Sequence, residues 1–291
     1  MRGQQRNTIL HGDALAVLKT LPSESVDCVI TSPPYFALRD YGVTGQLGLE
    51  RTPEEFVRKL VVILRECRRV LKSEGTLWLN LGDSYAARGI EPKWQPAGVS
   101  GLKAKDLVGI PWMVAFALRE DGWYLRQDII WAKTNPMPES VTDRCTKSHE
   151  YVFVLSKSPR YYFNAEAIKE PATCAADKRR RQGRLVYRDG KRRGAKGTGQ
   201  TNFVSIKDKR NKRSVWSVTT SRFKGAHFAT FPEKLVEPMV LAACRPQGLV
   251  LDPFMGAGTT ALVARKLERN YLGIELNRKF IRIAQRRLEA S

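Results

Sequence analysis

Cysteine is scarce in this chain of 291 residues, and what there is does not pair up. Cys28, Cys67, Cys145, Cys174 and Cys244 are odd in number and scattered, with no C-x-x-C. That argues against a disulfide framework and against a Cys-based zinc site. Histidine is rarer still, at three residues. His149-Glu150 opens like the zinc signature H-E-x-x-H, but Phe153 stands where the second His belongs, so no metal is expected. Long hydrophobic runs are missing too. The longest uncharged apolar run, Leu107 to Leu118, is too short to cross a bilayer and contains Pro111. The first seven residues, MRGQQRN, carry no apolar secretory segment. A reducing cytoplasm and no membrane contact are the expectation. No internal repeat is visible.

Acidic residues are also in short supply. Against 29 Asp+Glu stand 50 Lys+Arg, a net charge of +21. With 42% hydrophobic and 9% aromatic residues the chain reads as globular. A globular protein this basic calls for a polyanionic partner. The excess is local. Residues 178–213 hold 15 Lys+Arg and only Asp189 and Asp208, so +13 sits there and +8 on the remaining 255 residues. The stretch carries five glycines and no helical or strand period. It reads as a basic insertion that grips nucleic acid through Lys178, Arg179, Arg180, Arg181, Arg184, Arg188, Lys191, Arg192, Arg193, Lys196, Lys209, Arg210, Lys212 and Arg213. Trp216 and Phe223 read as small-core residues, with base wedges as the other reading.

Outside the insertion, strand-like and helix-like patterns alternate. Residues 26–31, 76–81, 127–132, 151–156, 248–252 and 271–275 read as strands. Residues 52–71 have a capping Thr52, an early Pro53 and an apolar stripe at helical spacing, with Gly75 as the stop. Further helices are expected over 107–120, 259–267 and 278–288. The alternation predicts a doubly wound, mainly parallel α/β sheet, with ligands at the carboxyl ends of its strands.

Two strand ends carry chemistry. After the strand ending at Asp252 comes Pro253-Phe254-Met255-Gly256-Ala257-Gly258-Thr259-Thr260-Ala261, a fit to G-x-G-x-x-G/A between strand and helix. Glu275 ends the next strand and can accept hydrogen bonds from two ribose hydroxyls. No Lys follows as in G-x-x-x-x-G-K-[ST], which argues against a P-loop. This pattern alone leaves a dinucleotide and another adenosine cofactor both open. The second strand end is Thr31-Ser32-Pro33-Pro34-Tyr35. Pro34 has no N–H, so the turn offers acceptors (the Ser32 hydroxyl and the Pro33 carbonyl) beside an aromatic face at Tyr35. Such a turn suits a flat heterocycle with an exocyclic amine.

These two runs resemble the DNA amino-methyltransferases that use S-adenosylmethionine. Thr31-Ser32-Pro33-Pro34-Tyr35 is similar to their (S/N/D)-P-P-(Y/F/W) catalytic motif, and Asp252-Pro253-Phe254-x-Gly256-x-Gly258-Thr259-Thr260 to their cofactor motif. Ile129 to Pro136, and His149-Glu150 leading to Tyr161-Tyr162-Phe163, also resemble the family. The order, with the catalytic motif first, resembles the circularly permuted beta class. The resemblance implies a Rossmann-like methyltransferase sheet with one antiparallel strand. It implies a catalytic half at 1–170, a basic target-recognition insertion at 171–226 and a cofactor half at 227–291. Catalysis would fall to Ser32, Pro33, Pro34 and Tyr35. The cofactor would be held by Asp13, Thr230, Phe231, Lys234, Asp252, Phe254, Gly256, Gly258, Thr259, Thr260 and Glu275. Phe231-Pro232-Glu233-Lys234-Leu235 resembles a short helix motif beside the methionine part of the cofactor, and Gly12-Asp13 an element at the adenine edge.

A Ser at position 32, preceded by Ile-Thr, is similar to the cytosine-N4 group; adenine-N6 transfer is the alternative. Cytosine-C5 chemistry needs a Pro-Cys pair, and Asp27, Glu66, Arg144, Thr173 and Ala243 precede the cysteines here. The implied reaction is direct in-line transfer to the amine of a flipped base in double-stranded DNA, with Tyr35 stacking on that base. A cognate restriction endonuclease is a partner the resemblance allows, and monomer and homodimer are both open. Two other classes are more remote. An NAD-dependent oxidoreductase leaves Ser32 to Tyr35 unexplained, and a nonenzymatic DNA-binding protein leaves both strand ends without work.

Overall fold

The computed structural model describes residues 6–86, 102–172, 209–220 and 232–291. The chain forms two units, Met1–Asn164 with Arg213–Ser291, and Ala165–Lys212. The second is described only at its ends, where a short 3₁₀ turn, Glu166–Ile168, precedes β6 (Glu170–Pro171) and its antiparallel partner β7 (Lys209–Arg210).

The first unit is an α/β sheet. Its strands are β1 (Thr8–His11), β2 (Val26–Thr31), β3 (Leu71–Leu81), β4 (Tyr124–Lys133), β5 (His149–Ser156), β8 (Val215–Val218), β9 (Leu249–Asp252) and β10 (Asn270–Glu275). They lie in the order β1-β10-β9-β2-β3-β5-β4-β8. All neighbours are parallel except at β5, which runs against both β3 and β4. The expected mainly parallel sheet with one antiparallel strand is present. From β2 the chain winds to β3 on one side, and from β9 to β10 on the other. The winding therefore reverses between β2 and β9, which is where open α/β sheets place ligands.

The helices follow from local chemistry. In α2 (Pro53–Val70) the Thr52 hydroxyl accepts from the Glu55 amide at 3.0 Å. Glu54 and Glu55 sit in the first turn and Arg68 and Arg69 in the last, each matched to the helix dipole. Phe56, Leu60, Ile63, Leu64 and Cys67 form its buried stripe. The helix ends at Val70, one residue short of the expected 71, and Gly75 is not its stop, because Leu71 already turns extended and pairs with Val26. The helix expected from 107 begins only at Ile110, as α3 (Ile110–Glu120). Gly109 takes a left-handed φ of +85° at the N-cap and Pro111 sits in the first turn, while the Asp83 carboxylate, just past β3, accepts from the Gly109 and Ile110 amides at 3.0 and 3.1 Å.

The remaining helices are α1 (Ala14–Thr20), α4 (Glu233–Ala243), α5 (Thr259–Lys266) and α6 (Arg278–Glu289). No helix among the described residues is long and apolar enough to cross a membrane. Trp78 on β3 is buried, with the Phe163 ring stacked 6.2 Å away and Trp216 on β8 at 6.3 Å. Trp216 is thus a core residue, its indole N–H donating to the Arg213 carbonyl at 2.7 Å, and the base-wedge reading falls; Phe223 lies outside the described residues.

Gly258, the N-cap of α5, shows how tightly the βα turn after β9 is packed. Its φ is +81°, and a Cβ there would stand 2.7 Å from Cβ of Ala284 on α6. Gly258→Ala therefore combines a left-handed backbone with an overpacked contact and should cost about 2–4 kcal/mol. Urea unfolding checks this, and an unchanged midpoint would refute it.

Candidate active site

The chemistry-bearing residues gather along the carboxyl edge of the sheet. Ser32 follows β2, Asn80 to Asp83 close β3, Lys133 ends β4, Asp252 ends β9 and Glu275 ends β10. Because β5 runs the other way, its first residues, His149 and Glu150, reach the same edge.

At the centre is Asp252. Its side chain is wholly buried between the two βα loops. Oδ1 accepts from the Thr31 hydroxyl at 2.6 Å and from the Phe254 amide at 3.0 Å; Oδ2 accepts from the Thr260 hydroxyl at 2.7 Å. Burial is the largest influence on this carboxyl and raises its pKa to about 6, against the lowering effect of its hydrogen bonds. These bonds give Asp252, Thr259 and Thr260, all expected as cofactor contacts, a structural task as well. All three are buried, and the Thr259 hydroxyl accepts from Arg287 at 3.1 Å. Their side chains brace the turn at the start of α5.

Around that brace lie the residues expected to hold the cofactor. Glu275 is the pivot: Oε2 accepts from the Gly256 amide and Oε1 from the Asn277 amide, each at 2.7 Å. Burial raises its pKa, and the backbone donors pull the other way. A carboxylate has about four acceptor positions, so capacity remains for hydroxyl donors. The Gly12 amide donates to the Glu275 carbonyl at 3.1 Å, which draws exposed Asp13 to the same place. Asp13 also caps α1 through the Ala16 amide at 2.9 Å. Phe254 is half-buried, and Lys234 is exposed on the first turn of α4. Thr230 and Phe231 lie outside the described residues.

The Ser32–Tyr35 loop, expected to be catalytic, is packed as closely. Ser32 is half-buried, with Oγ 3.4 Å from the Tyr35 hydroxyl. Tyr35 lies against Gly82, where a Cβ would come within 2.5 Å of its ring. Its hydroxyl donates to Glu150 Oε2 at 2.5 Å and is 3.2 Å from Asn80 Oδ1. Asn80 Nδ2 donates to Glu150 Oε2 at 3.1 Å, and Lys133 Nζ to Glu150 Oε1 at 2.5 Å. Burial and the Glu150 charge push the Tyr35 phenol well above its usual value. Sequence reading chose Tyr35 for its ring; the polar cluster on its hydroxyl was not foreseen. The available signal was polar residues, Asn80, Lys133 and Glu150, at the ends of apolar strands.

Most of the expected DNA-binding set (Lys178, Arg179, Arg180, Arg181, Arg184, Arg188, Lys191, Arg192, Arg193 and Lys196) lies outside the described residues. Lys209 and Arg210 form β7 of the second unit, where Arg210 pairs with Glu170 at 3.0 Å. Lys212 is half-buried and Arg213 exposed. No cluster of metal-ligating side chains occurs among the described residues.

A sequence profile described as DNA methylase matches residues 26–286. The chain belongs to the N4/N6 DNA methylase family. Type II methyltransferase M.Cfr9I of Citrobacter freundii is 47% identical over 294 residues, covering 97% of this chain and 87% of that protein. M.SmaI of Serratia marcescens, also a type II methyltransferase, is 45% identical, covering 96% of this chain and 90% of its own length. The solved PvuII DNA methyltransferase (cytosine-N4-specific) shares the fold, with a TM-score of 0.68 at 20% identity over 98% of this chain and 89% of that one. This methylase is accordingly a type II DNA methyltransferase, of a family that depends on S-adenosylmethionine.

Burial of Asp252 has a measurable consequence. The folded carboxyl holds its proton more tightly than an unfolded one, so folding takes up a proton between about pH 4 and 6. Its contribution to stability falls as pH rises through that window. Asp252→Asn removes the titration, so the stability of the variant relative to the wild type should rise from about pH 4 to about pH 7. Urea midpoints across this range give the comparison. A difference that stays constant with pH would show that Asp252 does not titrate this way.

Proposed function

We propose that this methylase transfers the methyl group of S-adenosylmethionine to the N4 amine of a cytosine at a specific site in double-stranded DNA. The observation that carries the reading is Ser32: a half-buried hydroxyl, not a carboxylate, at the head of the catalytic loop, beside the switch point of the sheet.

The cofactor half fits S-adenosylmethionine. A Cβ at Gly256 would meet only the Phe254 carbonyl, at 3.9 Å, so the turn leaves room beside its backbone. Glu275 offers acceptors for ribose hydroxyls, Phe254 an apolar face, and the start of α5 backbone donors for a carboxylate. When bound, the cofactor supplies a methyl group on a positively charged sulfur.

The chain's own residues do the rest. The Ser32 hydroxyl and the Pro33 carbonyl accept the two hydrogens of the cytosine amine, whose lone pair is otherwise delocalised into the ring. Held by two acceptors, the nitrogen pyramidalises and its lone pair turns toward the cofactor side. Positioning of this kind supplies up to about 7–11 kcal/mol of a barrier. The same acceptors stabilise positive charge growing on nitrogen. Tyr35 gives the base a stacking face, worth about 1–3 kcal/mol. That offsets part of the few kcal/mol needed to flip a base from the duplex.

We assign the sheet unit, 1–164 with 213–291, to catalysis and the basic segment of 165–212 to target recognition; β8 (Val215–Val218), inside the expected insertion of 171–226, is counted with the sheet it pairs with. The basic side chains of that segment grip phosphates.

Two measurements test the assignment. Ser32→Ala should slow turnover sharply and leave cofactor affinity largely intact, and mass spectrometry of digested product DNA should find N4-methylcytosine. N6-methyladenine in that digest would overturn the cytosine assignment. Separately, Glu275→Ala should raise the cofactor dissociation constant in a binding titration; unchanged affinity would remove Glu275 from the cofactor site.

A further inference from the structure

An exocyclic amine that has accepted a methyl group still carries both its hydrogens and a positive charge. One proton must leave before neutral product exists. The catalytic loop holds an ordered path for it. Ser32 Oγ is placed to donate to the Tyr35 hydroxyl at 3.4 Å, and that hydroxyl donates to Glu150 Oε2 at 2.5 Å. Both bonds run in the same sense, from the loop to a carboxylate.

We propose that Ser32, Tyr35 and Glu150 form a proton relay that carries the released proton from the methylated amine to the Glu150 carboxylate, an inference that rests on the amino-methyltransferase reading above. The step balances. The amine nitrogen uses its lone pair to form the bond to carbon, and the carbon–sulfur electron pair stays on sulfur. Nitrogen then gives one proton to Ser32 Oγ as the Ser32 proton moves to Tyr35 Oη and the Tyr35 proton to Glu150 Oε2. Positive charge leaves sulfur and negative charge leaves Glu150, so total charge is unchanged.

Three features of the cluster suit this task. The Tyr35 phenol is kept protonated by burial first and by the Glu150 charge next, so it has a proton to give and a lone pair to receive one. Glu150 is 9% exposed and sits among groups that hold it in place: Lys133 from β4, Asn80 from β3 and Tyr35 from the catalytic loop. Lys147 and His149, on its own segment, add their fields to it. The Lys133 side chain is 23% exposed, so the far end of the path opens to water and can reset. The Ser32 to Tyr35 spacing is long, as catalytic hydrogen bonds often are before substrate binds.

The simpler role for Glu150 is to anchor the Tyr35 ring, and one substitution separates the two. Glu150→Gln keeps a carbonyl for the Tyr35 hydroxyl but cannot take up a proton, and Tyr35→Phe keeps the ring but breaks the path. Single-turnover methyl transfer should slow in each by on the order of 10²-fold, within the range for general acid–base groups. The double variant should be no slower than the slower single one, because both break one chain. Base flipping, read by fluorescence of 2-aminopurine at the target position, and cofactor affinity should match the wild type. Unless both variants slow by at least about tenfold with flipping intact, the relay is wrong. Loss of the flipping signal in Glu150→Gln would make Glu150 an anchor only. Product identity in the same samples reports on the cytosine assignment alone, since the relay begins at Ser32 whichever amine is methylated.

Discussion

One buried carboxylate holds the two halves of this site together. Asp252 ends β9, yet it is bonded to Thr31 at the end of β2 and to Thr260 on α5. It therefore spans the point where the winding of the sheet reverses, with the catalytic loop on one side and the glycine turn on the other. A carboxylate taken wholly out of water is costly unless its lone pairs are satisfied. Three protein donors within 3.0 Å satisfy it here. The same bonds leave little freedom for Ser32 and Phe254, the residues immediately beyond. The proposed in-line transfer between a bound cofactor and a flipped base depends on placement to a fraction of an ångström. A loop pinned at its root to the neighbouring strand can deliver that; two independently mobile loops could not.

The glycine turn meets the same constraint from the other side. Glu275 joins the Gly256 amide to the end of β10, and the Gly12 amide joins the end of β1 to the Glu275 carbonyl. Strand ends β1, β10, β9 and β2 are thus linked edge to edge by polar contacts. The apolar core beneath, built from strands such as Val26–Thr31 and Leu249–Asp252, carries the sheet. The polar links set the relative height of the loops upon it.

Local signals were legible in the sequence, and spatial ones were not. The Pro-Pro turn, the two glycines of the cofactor turn and the capping Thr52 act on their own neighbours, so spacing alone revealed them. The parallel sheet was legible for the same reason, through alternating periods. Asp252 was legible at a strand end, but its bracing of two loops was not. Its partner Thr31 is 221 positions away, and nothing local announces the pairing. The start of α3 rests on Gly109 and Pro111 beside it and on Asp83, which belongs to another element. The short β1 and α1 carry too few residues to establish a period, and β8 follows the basic insertion with only four. The cluster of Asn80, Lys133 and Glu150 comes from three strands, and only the fold brings it to Tyr35.

The antiparallel strand explains why that cluster can exist. In a parallel sheet the carboxyl edge is built from the ends of strands, where the chain is about to leave. A strand entering there offers its first residues instead, and β5 enters with His149 and Glu150. Its register sets Glu150 opposite Trp131 and its next residue opposite Leu81, so the carboxylate stands between the ends of β3 and β4. A parallel strand in the same slot would point these residues at the opposite edge, far from Tyr35. One reversed strand thus brings a charged pair, Glu150 with Lys133, against the catalytic loop without lengthening any loop to do so. The net basic charge acts elsewhere, largely in the insertion, while beside the loop the charges are paired. In the proposed reaction the two regions serve different ends: long-range attraction for a polyanion, and a locally balanced field beside the loop.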